Sequence, residues 1–160
     1  MRLLNSVCKV IASAFKDVPV HIEEVPKHFE RGCFYVCLTT GSTELLNTNV
    51  YQDNPIFQIV YFGKRNAAGQ VYAEKLYEVK ESLKRLFLLS KALPVLPLEE
   101  VEEKPRYAKY ESYSDELRIS EGAIYARLVI NFTEDVPKAP DEYEPIGDVD
   151  IVTQTKIANG

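Results

Sequence analysis

Two histidines, three cysteines and the run Glu78-Val79-Lys80 are the residues of this chain best equipped for chemistry. His21 and His28 fit neither an H-x-x-x-H nor an H-E-x-x-H spacing. A zinc site needs several nitrogen, sulfur or oxygen ligands converging on one point. One histidine on a strand and one in a turn is the plainer reading, and no metal is expected. Cys33 and Cys37 lie on one apolar stretch, about 13 Å apart at the strand rise and beyond disulfide reach. With Cys8 they read as buried reduced thiols, because a nucleophilic cysteine needs a basic neighbour and partial exposure. Glu78-Val79-Lys80 has the Glu-x-Lys order that metal-dependent nucleases use with an upstream acid, for which Asp53 is available. Glu78 and Lys80 fall within a helical period, however, and so point in different directions. The seven glycines form no phosphate-cradling cluster after a strand. Neither catalysis nor a bound cofactor is expected.

The elements that would position such residues belong to an ordinary globular chain. Its hydrophobic fraction is 46% and its charged fraction 27%, and 160 residues suffice for one core that buries roughly two thirds of the unfolded surface. Ten Tyr and seven Phe without Trp favour strands and contact surfaces. No apolar run approaches the roughly 20 residues that span a bilayer. Asn5, Ser6, Lys9 and Ser13 interrupt the first helix, unlike a secretion signal, so a cytoplasmic protein is expected. The net charge is −5, and residues 134–160 carry all of it, with seven acids against Lys138 and Lys156. The neutral remainder has no basic excess to neutralise phosphates, which argues against a sequence-specific nucleic-acid partner.

Leu3, Leu4, Val7, Val10, Ile11, Ala14 and Phe15 recur at steps of three and four, the mark of an N-terminal helix ended by Asp17 and Pro19. Residues 20–24 predict a short strand, 26–32 a turn, and 33–40 the returning strand of a hairpin. That second strand is apolar on both faces and should be central. Turns are predicted at 41–43 and at Asp53-Asn54-Pro55, with strands at 45–52 and 56–62. Tyr72, Leu76, Val79, Leu83, Leu86 and Phe87 mark the buried stripe of a long helix. Pro94 and Pro97 confine 93–98 to an edge strand or extended segment. Residues 99–105 read as an acidic loop, and 106–118 and 123–132 as strands joined by Ser120-Glu121-Gly122. The expected fold is α+β: a mostly antiparallel β-sheet packed with an N-terminal helix and one long central helix. One domain is expected over residues 1–135, followed by an acidic, proline-containing extension over 136–160 with a short strand at 149–153. A sheet apolar on both faces and a tail unable to fold alone suit a subunit of a larger assembly. Helices covering both faces within one monomer would account for the pattern equally well.

The run Glu23-Glu24-Val25-Pro26-Lys27-His28-Phe29-Glu30-Arg31-Gly32-Cys33-Phe34-Tyr35-Val36-Cys37-Leu38 resembles a pattern in phage and prophage tail terminator proteins. There an acidic strand end leads through a polar turn to Cys-Phe-Phe-like residues. Phe57-Gln58-Ile59-Val60-Tyr61-Phe62 resembles the family's strand before its long helix, and Ser120-Glu121-Gly122-Ala123-Ile124-Tyr125 its Asp-Gly turn and final strand. The likeness covers about residues 1–133. Lys27-His28-Phe29, Gly32 and Glu121 depart from the Gln-Gly-Phe, Pro and Asp of many members, all at turn positions.

The resemblance implies a structural virion protein with no catalysis and no cofactor. Such a protein assembles as a ring of six subunits on the tail tube, stops its polymerisation and offers a head-joining surface. Its partners would be copies of itself, the tail tube protein and the head–tail connector protein, with no membrane. It would act in the cytoplasm of the bacterial host during assembly and then in the virion tail. Exposed turns and charge single out Phe29, Arg31 and Arg65, with the tail acids Glu142 and Glu144, as interface residues. A head–tail connector or other neck protein fits the same observations. A metal-dependent nuclease built on Glu78 and a prophage remnant without a role are the remaining alternatives.

Overall fold

The computed structural model describes residues 1–97 and 104–136. Along the described chain run α1 (Arg2–Ala14), β1 (Val20–Ile22), β2 (Cys33–Asn47), β3 (Val50–Phe62), α2 (Ala73–Lys84), β4 (Ala92–Val95), β5 (Arg106–Arg118) and β6 (Ala123–Asp135). The strands form one sheet in the order β1-β2-β3-β6-β5-β4. β1 runs parallel to β2, and the other four pairings are antiparallel. The fold is α+β with a mixed sheet.

Both helices lie on one face of the sheet because their apolar stripes match its inward-facing positions. α1 buries Leu4, Val7, Cys8 and Ile11, and α2 buries Leu76, Val79 and Leu83. These side chains join Phe34, Val36, Phe57, Ile59, Tyr61, Ile124, Leu128 and Ile130 in a single core. Full burial of side chains of this size is worth about 1.5–3 kcal/mol each, which fixes which face is inside. Ser6 is buried within this packing. Its hydroxyl donates to the Arg2 carbonyl at 2.8 Å and accepts the Leu96 N–H at 3.0 Å, tying the end of β4 to α1.

Four expectations change here. The predicted hairpin of residues 20–40 is a parallel pair, with Val20 opposite Phe34 and Ile22 opposite Val36. Glu23 takes a left-handed φ of 62°, which turns the chain out of β1, and the next nine residues carry it back to the start of β2.

The turns predicted at 41–43 and 53–55 are strand. β2 and β3 form one long hairpin in which Gly41 faces Pro55 and Ser42 faces Asn54. A Cβ on Gly41 would sit 3.2 Å from the Pro55 Cα, so the glycine answers a close backbone approach. Pro55 has no N–H for the ladder, and the pairing of β3 with β6 steps from Asp53 to Ile56 without Asn54 or Pro55. The true turn is Thr48-Asn49, closed by the Asn49 N–H donating to Asn47 Oδ1 at 2.9 Å.

Tyr72, assigned to the buried stripe, is the N-cap of α2 and exposed. The long helix is twelve α residues continued by a π-type turn, Arg85–Leu89. That wide turn sends Phe87 inward, 5.5 Å from the Tyr110 ring and 5.6 Å from Tyr113, and leaves Leu88 and Leu89 exposed. The acidic loop of 99–105 lies largely, and the short strand of 149–153 wholly, outside the described residues.

Candidate interaction surface

The residues with means for chemistry are distributed as structure. Cys8, Cys33 and Cys37 are all buried. Burial, then the nearby Glu23 charge, pushes the Cys8 thiol up to about 11, and burial raises Cys33 as well. A thiol held protonated in this way is a poor nucleophile at neutral pH. Glu78 pairs with Lys75 at 2.9 Å, while Lys80 points to Asp115. Asp53 accepts the Thr43 hydroxyl at 2.6 Å on the hairpin. The nuclease trio is therefore split among three unrelated partners. Among the described residues, no cluster of three His, Cys, Asp or Glu is arranged to hold a metal.

The face of the sheet away from the helices is closed at one end by residues 23–32. The Phe29 ring packs on Phe62 at 4.9 Å, and the Tyr35 hydroxyl donates to the Glu23 carbonyl at 3.0 Å. Beneath this cover Cys33 and Val60 are buried, apart from the core cluster that the helices join. Further along, the same face opens into a shallow hollow of about 610 Å³ whose lining includes Thr39, Gln58, Glu116, Arg118, Tyr125 and Arg127. Arg118 lies over the Tyr125 ring at 4.6 Å and pairs with Glu116 at 3.0 Å and Glu121 at 3.2 Å. The Tyr125 hydroxyl donates to Glu121 at 2.7 Å. Arg118, Glu116, Glu121 and Tyr125 are paired among themselves, and Arg127 is exposed, so this wall is polar and open to water.

Arg31 is the keystone of the closed end. Its Nε donates to the Gly63 carbonyl at 2.7 Å, and its Nη2 to the Glu121 and Gly122 carbonyls at 2.9 and 2.7 Å. The guanidinium also lies 5.8 Å from the Phe62 ring centre. Three segments meet there: the loop before β2, the end of β3 and the turn between β5 and β6. Gly122 takes a φ of 64°, and a Cβ on it would come within 2.6 Å of Val71. Glycine is therefore what lets that turn approach the clamp. Arg65 joins from the other side, its Nη2 donating to the Glu121 carbonyl at 3.0 Å.

Of the five residues singled out from the sequence, the fold gathers Phe29, Arg31 and Arg65 at this one corner. Phe29 and Arg31 are half-buried and Arg65 is exposed. Glu142 and Glu144 lie outside the described residues.

Sequence reasoning missed the open border of β2. β1 covers only Phe34 to Val36, and beyond it the Leu38 N–H donates to Glu23 Oε1 at 3.1 Å. From Thr39 to Asn47 no described strand lies on the outer side. Side chains here are exposed, including Leu45 at 65% and Leu46 at 50%. The available signal was the change at Thr39, where a run apolar on both faces gives way to Thr, Gly and Ser.

Among the described residues, the sheet presents a strand border without a neighbour beyond Leu38 and a charged corner, two features through which protein surfaces make contacts. A family profile described as "Phage tail terminator protein" matches residues 2–96, more than half of the chain, from α1 through β4. The chain belongs to the phage tail terminator family. It is thus related to proteins that are structural components of the phage tail. No curated protein matches it.

Proposed function

We propose that this protein caps the tail tube of a phage or prophage, stops tube polymerisation and provides the surface on which the head is joined. The match to the tail terminator family across α1–β4 carries this reading. The mechanism is steric. A ring of six subunits seats on the last layer of tube subunits on one side and presents no further polymerisation surface on the other. Each subunit needs two different contact areas for such a heterologous ring. The Phe29–Arg31–Arg65 corner and the acids Glu142 and Glu144 are the two areas that this reading assigns, a contact of opposite charge. The ring's partners are then further copies of the chain, the tail tube protein and the head–tail connector protein. Assembly takes place in the host cytoplasm.

Deletion of the gene from its phage or inducible prophage, followed by negative-stain imaging of the lysate, tests the proposal. Tails of uncontrolled length, unattached to filled heads, are the expected result. Normal joined particles would overturn it. A neck protein is distinguished in the same strain background by its partner, since it would bind portal-side proteins and leave purified tube protein unbound.

A further inference from the structure

We propose that residues 148–155 of this same chain, Asp148-Val149-Asp150-Ile151-Val152-Thr153-Gln154-Thr155, add a strand along the open border of β2, antiparallel to it. The point of departure is fixed by β6. Its last residue, Asp135, lies opposite Val50, and the Val136 N–H donates to the Asn49 carbonyl at 2.7 Å. The chain therefore leaves the sheet beside the turn that joins β2 to β3, at the end where the open border also finishes. Reaching the outer side of β2 from β6 means crossing three strand spacings, about 14 Å. Residues 137–147 can span about 36 Å when extended, enough to cross and turn back. β2 runs toward that turn, so a segment returning from it runs antiparallel.

Composition agrees with this division of labour. Pro137, Pro140 and Pro145 all fall in the connecting stretch, and the eight residues after Asp148 begins contain no Pro or Gly. Val149, Ile151, Val152, Thr153 and Thr155 are β-branched, the type that packs well on a pleated surface. Alternation puts Val149, Ile151 and Thr153 on one side and Asp148 and Asp150 on the other.

The inner side of the border has a place for the apolar set. A hollow of about 490 Å³ lies between the start of α1 and the inner face of β2 and β3; Leu3, Leu38, Pro55 and Phe57 line it together with the charged Glu23 and Asp53 at its margin. The aspartates then face water. Two general effects favour the same chain over another copy. A tethered segment works at an effective concentration in the millimolar range, and a long Thr- and Leu-bearing strand border left bare invites association that natural proteins tend to block. The proposal requires no particular role in the tail, so its failure leaves that role standing.

Hydrogen–deuterium exchange on the dilute full-length protein tests it. Peptides spanning residues 39–47 are expected to exchange about tenfold or more slowly in the parent than in Ile151→Pro, which removes a ladder N–H and fixes φ. Ala158→Pro, beyond the added strand, should behave as the parent. Unchanged exchange at 39–47 in Ile151→Pro would overturn the proposal. So would protection that fades on dilution, since the border would then be covered by a second copy.

Discussion

Replacing Arg31 by Ala tests whether the corner is a structural clamp in the free protein. Arg31 makes three hydrogen bonds to carbonyls on two other segments, two of them in half-buried surroundings. A hydrogen bond to a charged group contributes about 1.5–3 kcal/mol. The lower figure applies here, because water can reach carbonyls at this rim. Counting only the two sheltered bonds gives about 3 kcal/mol, and loss of the contact with Phe62 adds about 0.5 kcal/mol. At about 2–4 °C per kcal/mol for a chain of this size, Arg31→Ala should lower Tm by roughly 10 °C. The urea midpoint should fall with the slope m unchanged. Arg31→Lys should recover less than half of the loss, since a single ammonium cannot reproduce the guanidinium fork. Circular dichroism during heating is a sufficient assay. A Tm within about 1 °C of the parent would refute the clamp and release Arg31 for a partner.

Stability should be flat through neutral pH and fall in alkali. Ionisation of Cys8 rises from 9.0 to about 11 on folding and that of Tyr110 from 10.0 to about 12, burial being the first cause for each. Both groups hold their protons longer in the folded chain, so stability is full below pH 9 and drains between pH 9 and 11 for Cys8, then between 10 and 12 for Tyr110. The Cys8 part is on the order of 2 kcal/mol. In urea titrations Cys8→Ala should shrink the first decline, leaving the part that the buried Cys33 thiol contributes, and keep the second; an identical profile would contradict the assignment. Lys80→Ala should destabilise by about 1–3 kcal/mol, because the Asp115 side chain is only 6% exposed and loses its cation. Glu78→Ala, removing an exposed pair, should stay within about 0.5 kcal/mol. Equal effects in thermal melts would show that the Lys80–Asp115 pair is not sheltered.

Periodicity made the layout of helices readable, because each stripe is enforced by the same core that the sheet presents. Leu76, Val79, Leu83 and Phe87 are buried as their spacing requires. Ile56 to Phe62 likewise announces a central strand that pairs on both sides. Polarity of pairing was not readable at β1. Three residues carry too little pattern to distinguish a hairpin from a parallel neighbour, and the deciding feature is the left-handed turn at Glu23.

Gly41 and Asp53-Asn54-Pro55 misled for a different reason. Each is a turn signal alone, and only their pairing across the hairpin shows that one accommodates the other. At the corner, Phe29, Arg31 and Arg65 were readable as turn residues. Their convergence was not, since it depends on Glu121 and Gly122, some 90 residues further along the chain.

The sheet closes its two borders at opposite corners. β1 shields the beginning of β2, and β4 shields Arg106 to Lys109 at the other end of the sheet. Counting the described strands alone, two copies brought side by side at the same height would therefore find one border blocked wherever the other is bare, with only a few residues free on both. Runaway in-register stacking, the route by which flat sheets become fibres, is obstructed by the outline of the sheet itself. A chain made in many copies can in this way stay dispersed until a contact with the correct stagger is offered.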